Sequence, residues 1–233
     1  MTPKETQLEQ CLAQLRTRLL VMCAAVGIAV DEACDALAGG NVGKANAVVD
    51  GDAAINAMEN DIDELSLSIL VRNQPVAQDL RFVVAALRMV IDLERIGDEA
   101  ASIAERAVIL HEALPVPVMD AAAALMETAK QTYKRAVEAF RTLDGEKALA
   151  LCRKDTERVD EGGQDEVKAL HQIMDYFCLD ATTANSGKSY AGMHGILICR
   201  SLNRICRRSA NIAEHTYFIA EGVNIKHVPV TAE

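Results

Sequence analysis

Two pairs of carboxylates, Glu94 with Asp98 and Glu59 with Asp63, stand four residues apart in segments that read as helices. That spacing sets both acids of a pair on one helical face, a single turn apart. Charged neighbours compensate one another at three or four residues. Asp92 has Arg88 four before it and Glu99 has Arg95 four before it, but Glu94 has no cation at either spacing and Asp98 has only Arg95, three before. Acids so placed repel unless water, a distant arginine or a metal cation lies between them. The segment of Glu59 and Asp63 carries no cation between Lys44 and Arg72, and Asp52, Glu59 and Asp63 run along one edge of its apolar stripe Ile55, Met58, Ile62, Leu65 and Ile69. Each pair alone is an ordinary solvated helix face. Set on adjacent antiparallel helices, the two make a carboxylate cluster. Oxygen ligands without nearby His or Cys suit a hard divalent metal or iron and disfavour zinc and copper. Glu94, Asp98, Glu59 and Asp63 are therefore the expected metal ligands.

The element that must present Glu94 and Asp98 runs over residues 79–110. Its line Leu80, Val84, Leu87 and Ile91 is expected to face the core, turning acidic where it reaches Glu94. Six helices are expected: residues 5–37, ending at Gly39-Gly40-Asn41; 44–73, interrupted by Pro75; 79–110, ending before Pro115 and Pro117; 119–143, ending at Asp144-Gly145; 146–179, weakened by Gly162-Gly163; and 190–221. The third and sixth match at an offset of 109, LERIGDEAASIAE from Leu93 over LNRICRRSANIAE from Leu202, and Gly43-Lys44-Ala45 faces Glu146-Lys147-Ala148 at an offset of 103. A repeat of this length implies an all-α protein of two tandem three-helix bundles, residues 1–114 and 118–223, related by a pseudo-twofold axis, with a tail at 224–233. On this register Leu87 and Ile91 are expected to be buried and equivalent to Ile196 and Arg200; Arg200 is then expected to reach solvent or an acidic partner rather than lie buried and unpaired. In the second copy Asn203 replaces Glu94 and Arg207 replaces Asp98. Glu161 and Asp165 keep an acidic spacing there, beside two glycines that weaken the helix.

Composition narrows the function. Of 233 residues half are apolar, but only 8 are Phe or Tyr and none is Trp, which suits closely packed helices. A formal charge of −10 argues against nucleic acid as a partner. The seven cysteines form no CxxC pair and read as small core residues in a reducing, cytoplasmic setting. No signal peptide is visible, and the longest uncharged run, residues 19–30, is too short to span a bilayer. A di-iron carboxylate enzyme needs Glu-x-x-His pairs; no Glu here has a His three residues later, and His111, His171, His194, His215 and His227 read as surface or capping residues. Walker, GxSxG and GxGxxG loops are missing as well, so catalysis is not expected.

The stretch RNQPVAQDLR from Arg72, followed by DLERIGDEAASIAE from Asp92, resembles the PhoU family of regulators of bacterial phosphate uptake, and the likeness extends over nearly the whole chain. The resemblance implies a non-enzymatic negative regulator that binds metal ions through repeated acidic E/DxxxD motifs. Glu94 and Asp98 match the motif on the third helix, and Glu59 and Asp63 match it on the second. It further implies a homodimer or higher oligomer, peripheral to membrane complexes, that couples the ATPase of a phosphate ABC transporter to a sensor histidine kinase. A metal-free helical adaptor serving another transporter or kinase is the alternative.

Overall fold

In a computed structural model of the chain, residues 3–113, 118–160, 164–178 and 186–225 are described, and all the regular structure among them is helical. The order is α1 (Pro3–Gly39), α2 (Val42–Asn73), α3 (Ala77–Ala113), α4 (Val118–Thr142), α5 (Gly145–Asp160), α6 (Gln164–Cys178) and α7 (Ser186–Glu221). The helix expected over 146–179 is described in two stretches, α5 and α6. Residues 161–163, which include the glycine pair, lie outside the described residues. Glu161 and most of the expected tail lie outside the described residues, as does the side chain of Asp165.

Helices α1, α2 and α3 pack as one bundle, and α4 to α7 as the other, with α3 against α7 and α1 against α4 joining them. The repeat shows in the caps. Asn41 Oδ1 accepts the Lys44 N–H at 3.0 Å to start α2, and Asp144 Oδ1 accepts the Lys147 N–H at 3.0 Å to start α5, 103 residues on. The preceding helices both end on a left-handed residue, Gly40 with φ 58° and Leu143 with φ 50°. On the central pair, burial repeats at the offset of 109: Leu93, Ile96, Gly97, Ile103 and Ala104 are buried, and so are Leu202, Ile205, Cys206, Ile212 and Ala213. Arg200 is exposed, as the register requires.

The face of α3 is a correction. Its core line is Val83, Ala86, Met89, Val90, Leu93 and Ile96, while Leu80 and Ile91 are 40% and 42% exposed and Val84 and Leu87 are half-buried. Two apolar lines lie side by side on this helix, and the one containing Leu80 and Ile91 turns outward because α1 and α7 together claim the other. Small residues on the inner line (Ala85, Ala86, Ala100, Ala104) let those neighbours approach closely. The α2 stripe behaves as expected, with Ile55, Ile62 and Ile69 buried and Met58 and Leu65 at its margin. Cys23, Cys34, Cys152, Cys199 and Cys206 are buried thiols, and burial pushes Cys23 and Cys34 up to about 12. Across the bundles, the buried Tyr133 hydroxyl on α4 donates to the Cys23 carbonyl on α1 at 2.7 Å.

Candidate functional site

The acidic residues meet along the seam of α2 and α3. Glu94, Glu59 and Asp63 are half-buried and Asp98 exposed, so the acidic line of α3 borders the seam instead of ending a core stripe. Gly97 makes the approach possible: a Cβ there would lie 3.2 Å from two Ile55 side-chain carbons and 3.8 Å from Asp52 Oδ1. Asp52 in turn accepts a hydrogen bond from Asn56 Nδ2 at 3.0 Å.

Electrostatics agree that these acids share one neighbourhood. Burial, and then the charges of Asp98, Glu59 and Asp52, lift the Glu94 carboxyl above its usual range against the pull of Arg95. Burial followed by Asp63 and Asp98 does the same for Glu59, and burial followed by Asp52 and Glu99 for Asp98. Asp63 is raised by burial. Asp52 Oδ1, Asn56 Oδ1 and Asp63 Oδ1 are buried acceptors with no hydrogen-bond donor. Orphan oxygens and mutually repelling carboxylates are the environment an oxygen-ligated cation relieves, so the residue types fit a hard metal. As the side chains stand, no three of His, Cys, Asp and Glu among the described residues converge as a ligand set. Asn56 and Gly97 are contributors the sequence reading passed over. The signal for the first was its place one turn after Asp52; for the second, a glycine inside the acidic pair itself.

A second polar centre lies where α3 crosses α7, and it corrects two further expectations. Asp92 does not pair with Arg88 at the surface. It is buried, with Oδ1 accepting from Arg208 Nη1 at 3.2 Å and Asn211 Nδ2 at 3.1 Å, and Oδ2 lying 3.5 Å from His215 Nε2. Burial works against its charge, but His215, Asn211 and Arg208 together outweigh that and hold the carboxyl below its usual range. His215 and His194 are both buried instead of capping or surface residues. His194 sits edge-on to Tyr190 with ring centroids 4.5 Å apart, and burial, then Arg106, lowers its proton affinity. Sequence spacing was a poor guide here because α7 packs against α3 as well as α4, α5 and α6.

These features can be set beside known proteins. The PhoU domain matches residues 19–107 and 123–216, once in each bundle. The phosphate-specific transport system accessory protein PhoU homolog of Pseudomonas aeruginosa is 34% identical over 223 residues, covering 94% of this chain and 88% of the relative. The accessory protein PhoU of Escherichia coli (strain K12) is 29% identical over 217 residues, covering 93% and 86%. The crystal structure of PhoU from Pseudomonas aeruginosa superposes with a TM-score of 0.84 at 31% identity, covering 92% of this chain and 99% of that one. The phosphate transport system regulatory protein PhoU from Streptococcus pneumoniae shares the fold at a TM-score of 0.79 and 24% identity. Two copies of the domain, a relative above 30% identity across nearly the full length, and the doubled bundle itself all agree: the chain belongs to the PhoU family.

Proposed function

We propose that the protein is a non-enzymatic accessory regulator of phosphate uptake, a negative regulator that couples the ATPase of a phosphate ABC transporter to a sensor histidine kinase. The observation carrying this reading is the pair of PhoU domain matches, which together span most of both bundles, with relatives named as accessory proteins of phosphate-specific transport. No helix among the described residues is long and apolar enough to cross a membrane, in keeping with a protein that works peripherally on membrane complexes. Affinity capture of the tagged chain from phosphate-replete cells is expected to recover the transporter ATPase or the kinase; recovery of neither, with an unrelated partner in their place, overturns the proposal.

The acidic seam supports a divalent metal or iron as ligand, held by Glu94 and Asp98 with Glu59 or Asp63. A bound cation supplies charge neutralisation there and no chemistry. Calorimetric titration with manganese is expected to show saturable binding that disappears when Glu94→Gln and Asp98→Asn are combined, with helicity unchanged; equal binding by that variant refutes the assignment. Self-association belongs to the same reading. On α4, Ala123 and Ala124 are exposed and small enough to let another helix approach closely, while Ala122 is in the core. Light scattering at micromolar concentration is expected to give at least a dimer, and a strict monomer counts against it.

A further inference from the structure

We propose that the cleft between α3 and α7 is a binding site for a phosphate oxyanion, either inorganic phosphate or the phosphomonoester end of a small organic molecule. The cleft has a volume of about 500 Å³ and is lined by Arg88, Arg95, Arg208, Asn211 and His215, with Asp92 and Glu214 as its acids and Ile91 and Phe218 as its apolar wall. Pseudo-symmetry shows what is unusual about it. On one side of the central helix pair, Arg204 Nη1 of α7 meets Glu99 Oε1 of α3 at 3.1 Å. The offset of 109 maps Arg204 onto Arg95 and Glu99 onto Arg208, so the opposite side sets two guanidinium groups where the first has an ion pair. Arg88 adds a third cation, and its counterpart Leu197 is apolar.

Three guanidinium groups outnumber the two acids of the lining, Asp92 and Glu214, although Arg95 also acts on Glu94 and Glu59 of the seam and Arg208 on Asp98. Asp92 spends its oxygens on Arg208, Asn211 and His215, and no ion pair joins Arg88 or Arg95 to a described residue. Arg208 also keeps a buried Nε–H with no acceptor. Guanidinium groups match tetrahedral oxyanions by paired, charge-assisted hydrogen bonds, and Asn211 and His215 offer further polar contacts. The cleft is far roomier than a bare oxyanion needs, and Phe218 with Ile91 would cover an organic remainder. Asp92 acts here as a positioning residue: fixed by three donors, it holds the Arg208 guanidinium at the mouth of the site.

Because Arg95 also acts on the seam acids Glu94 and Glu59, the test is run in chelator, which removes metal from the comparison. Purified full-length protein is titrated calorimetrically with inorganic phosphate and, separately, with adenosine monophosphate. Saturable binding of at least one ligand is expected, at one site per chain, weakened about tenfold or more in Arg95→Gln and in Arg88→Gln. Both arginines are exposed and these variants are expected to keep wild-type helicity. Equal affinity for the two ligands assigns the site to inorganic phosphate, and tighter binding of the nucleotide assigns it to phosphomonoesters. Absence of saturable binding for both ligands overturns the proposal, as does unchanged affinity in the Arg88→Gln/Arg95→Gln double variant.

Discussion

Asp92 on α3 and the seam acids of α2 and α3 are all carboxylates, and their surroundings push them in opposite directions. Asp92 is below the ordinary carboxylate range because three donors outweigh its burial; Glu94, Glu59, Asp63 and Asp98 are above it because burial and, for all but Asp63, the charge of neighbouring carboxylates act on them, with Asp52 and Glu99 the neighbours that raise Asp98. A carboxyl whose affinity for protons rises on folding stabilises the fold at pH below its unfolded value, and that contribution is lost as pH rises through the folded value. The depressed Asp92 contributes above the ordinary carboxylate range and loses its contribution only as pH falls through its lowered value. Chelator-treated protein is therefore expected to gain thermal stability between about pH 7 and about pH 5 and to lose it again below about pH 4. The rise is expected to shrink in Glu94→Gln/Asp98→Asn. Differential scanning calorimetry across that range checks both limbs, and a monotonic fall from neutral pH would contradict the assignment of strain to the seam.

Among the elements, the approach of α2 to α3 depends on Gly97. Gly97→Val places branched carbons against Ile55, whose side chain is already 3.2 Å from the position of a single added Cβ. The two helices must separate or Ile55 must leave its rotamer, at a cost of about 1–3 kcal/mol, and chemical denaturation of the variant is expected to report a loss in that range. Cys206 occupies the equivalent position of α7, so the second bundle has no such close approach built into its sequence. How far the elements could be read beforehand follows from the same physics. Helix ends marked by Asn41, Pro75 and Asp144-Gly145 were legible because caps and turns are local chemistry, and the offset of 109 carried the pseudo-symmetry. The inward face of α3 was not legible: Leu80, Val84, Leu87 and Ile91 form as regular a line as the true core line, and only packing against α1 and α7 chooses between them. The acidic pair was found all the same, because both lines pass near the seam. Asp92 was misassigned for a related reason, since Arg88 was a sufficient partner within the helix and Arg208, 116 residues away, was invisible to local spacing.

At the scale of the whole molecule, duplication has produced two bundles of one shape and unlike electrostatics. Burial repeats from α3 to α7 while the charges on the repeated positions diverge, with Glu94 against Asn203, Asp98 against Arg207 and Glu99 against Arg208. Shape is held by the apolar positions, which tolerate only conservative exchange, whereas exposed positions exchange charge at little cost to stability. The copies are thus free to specialise. A hard cation needs several oxygen ligands, and every added carboxylate also lowers the electrostatic cost of holding positive charge. Asn203 can offer one neutral oxygen at most, and Arg207 brings a fixed positive charge that no pH near neutrality removes. Metal is accordingly expected on the first bundle alone. In crystals grown with manganese or iron, anomalous difference maps are expected to show density at the α2–α3 seam beside Glu94 and Asp98, and none beside Asn203 and Arg207. Peaks of equal height on both bundles would mean that shape, rather than the charges on it, decides where the cation goes.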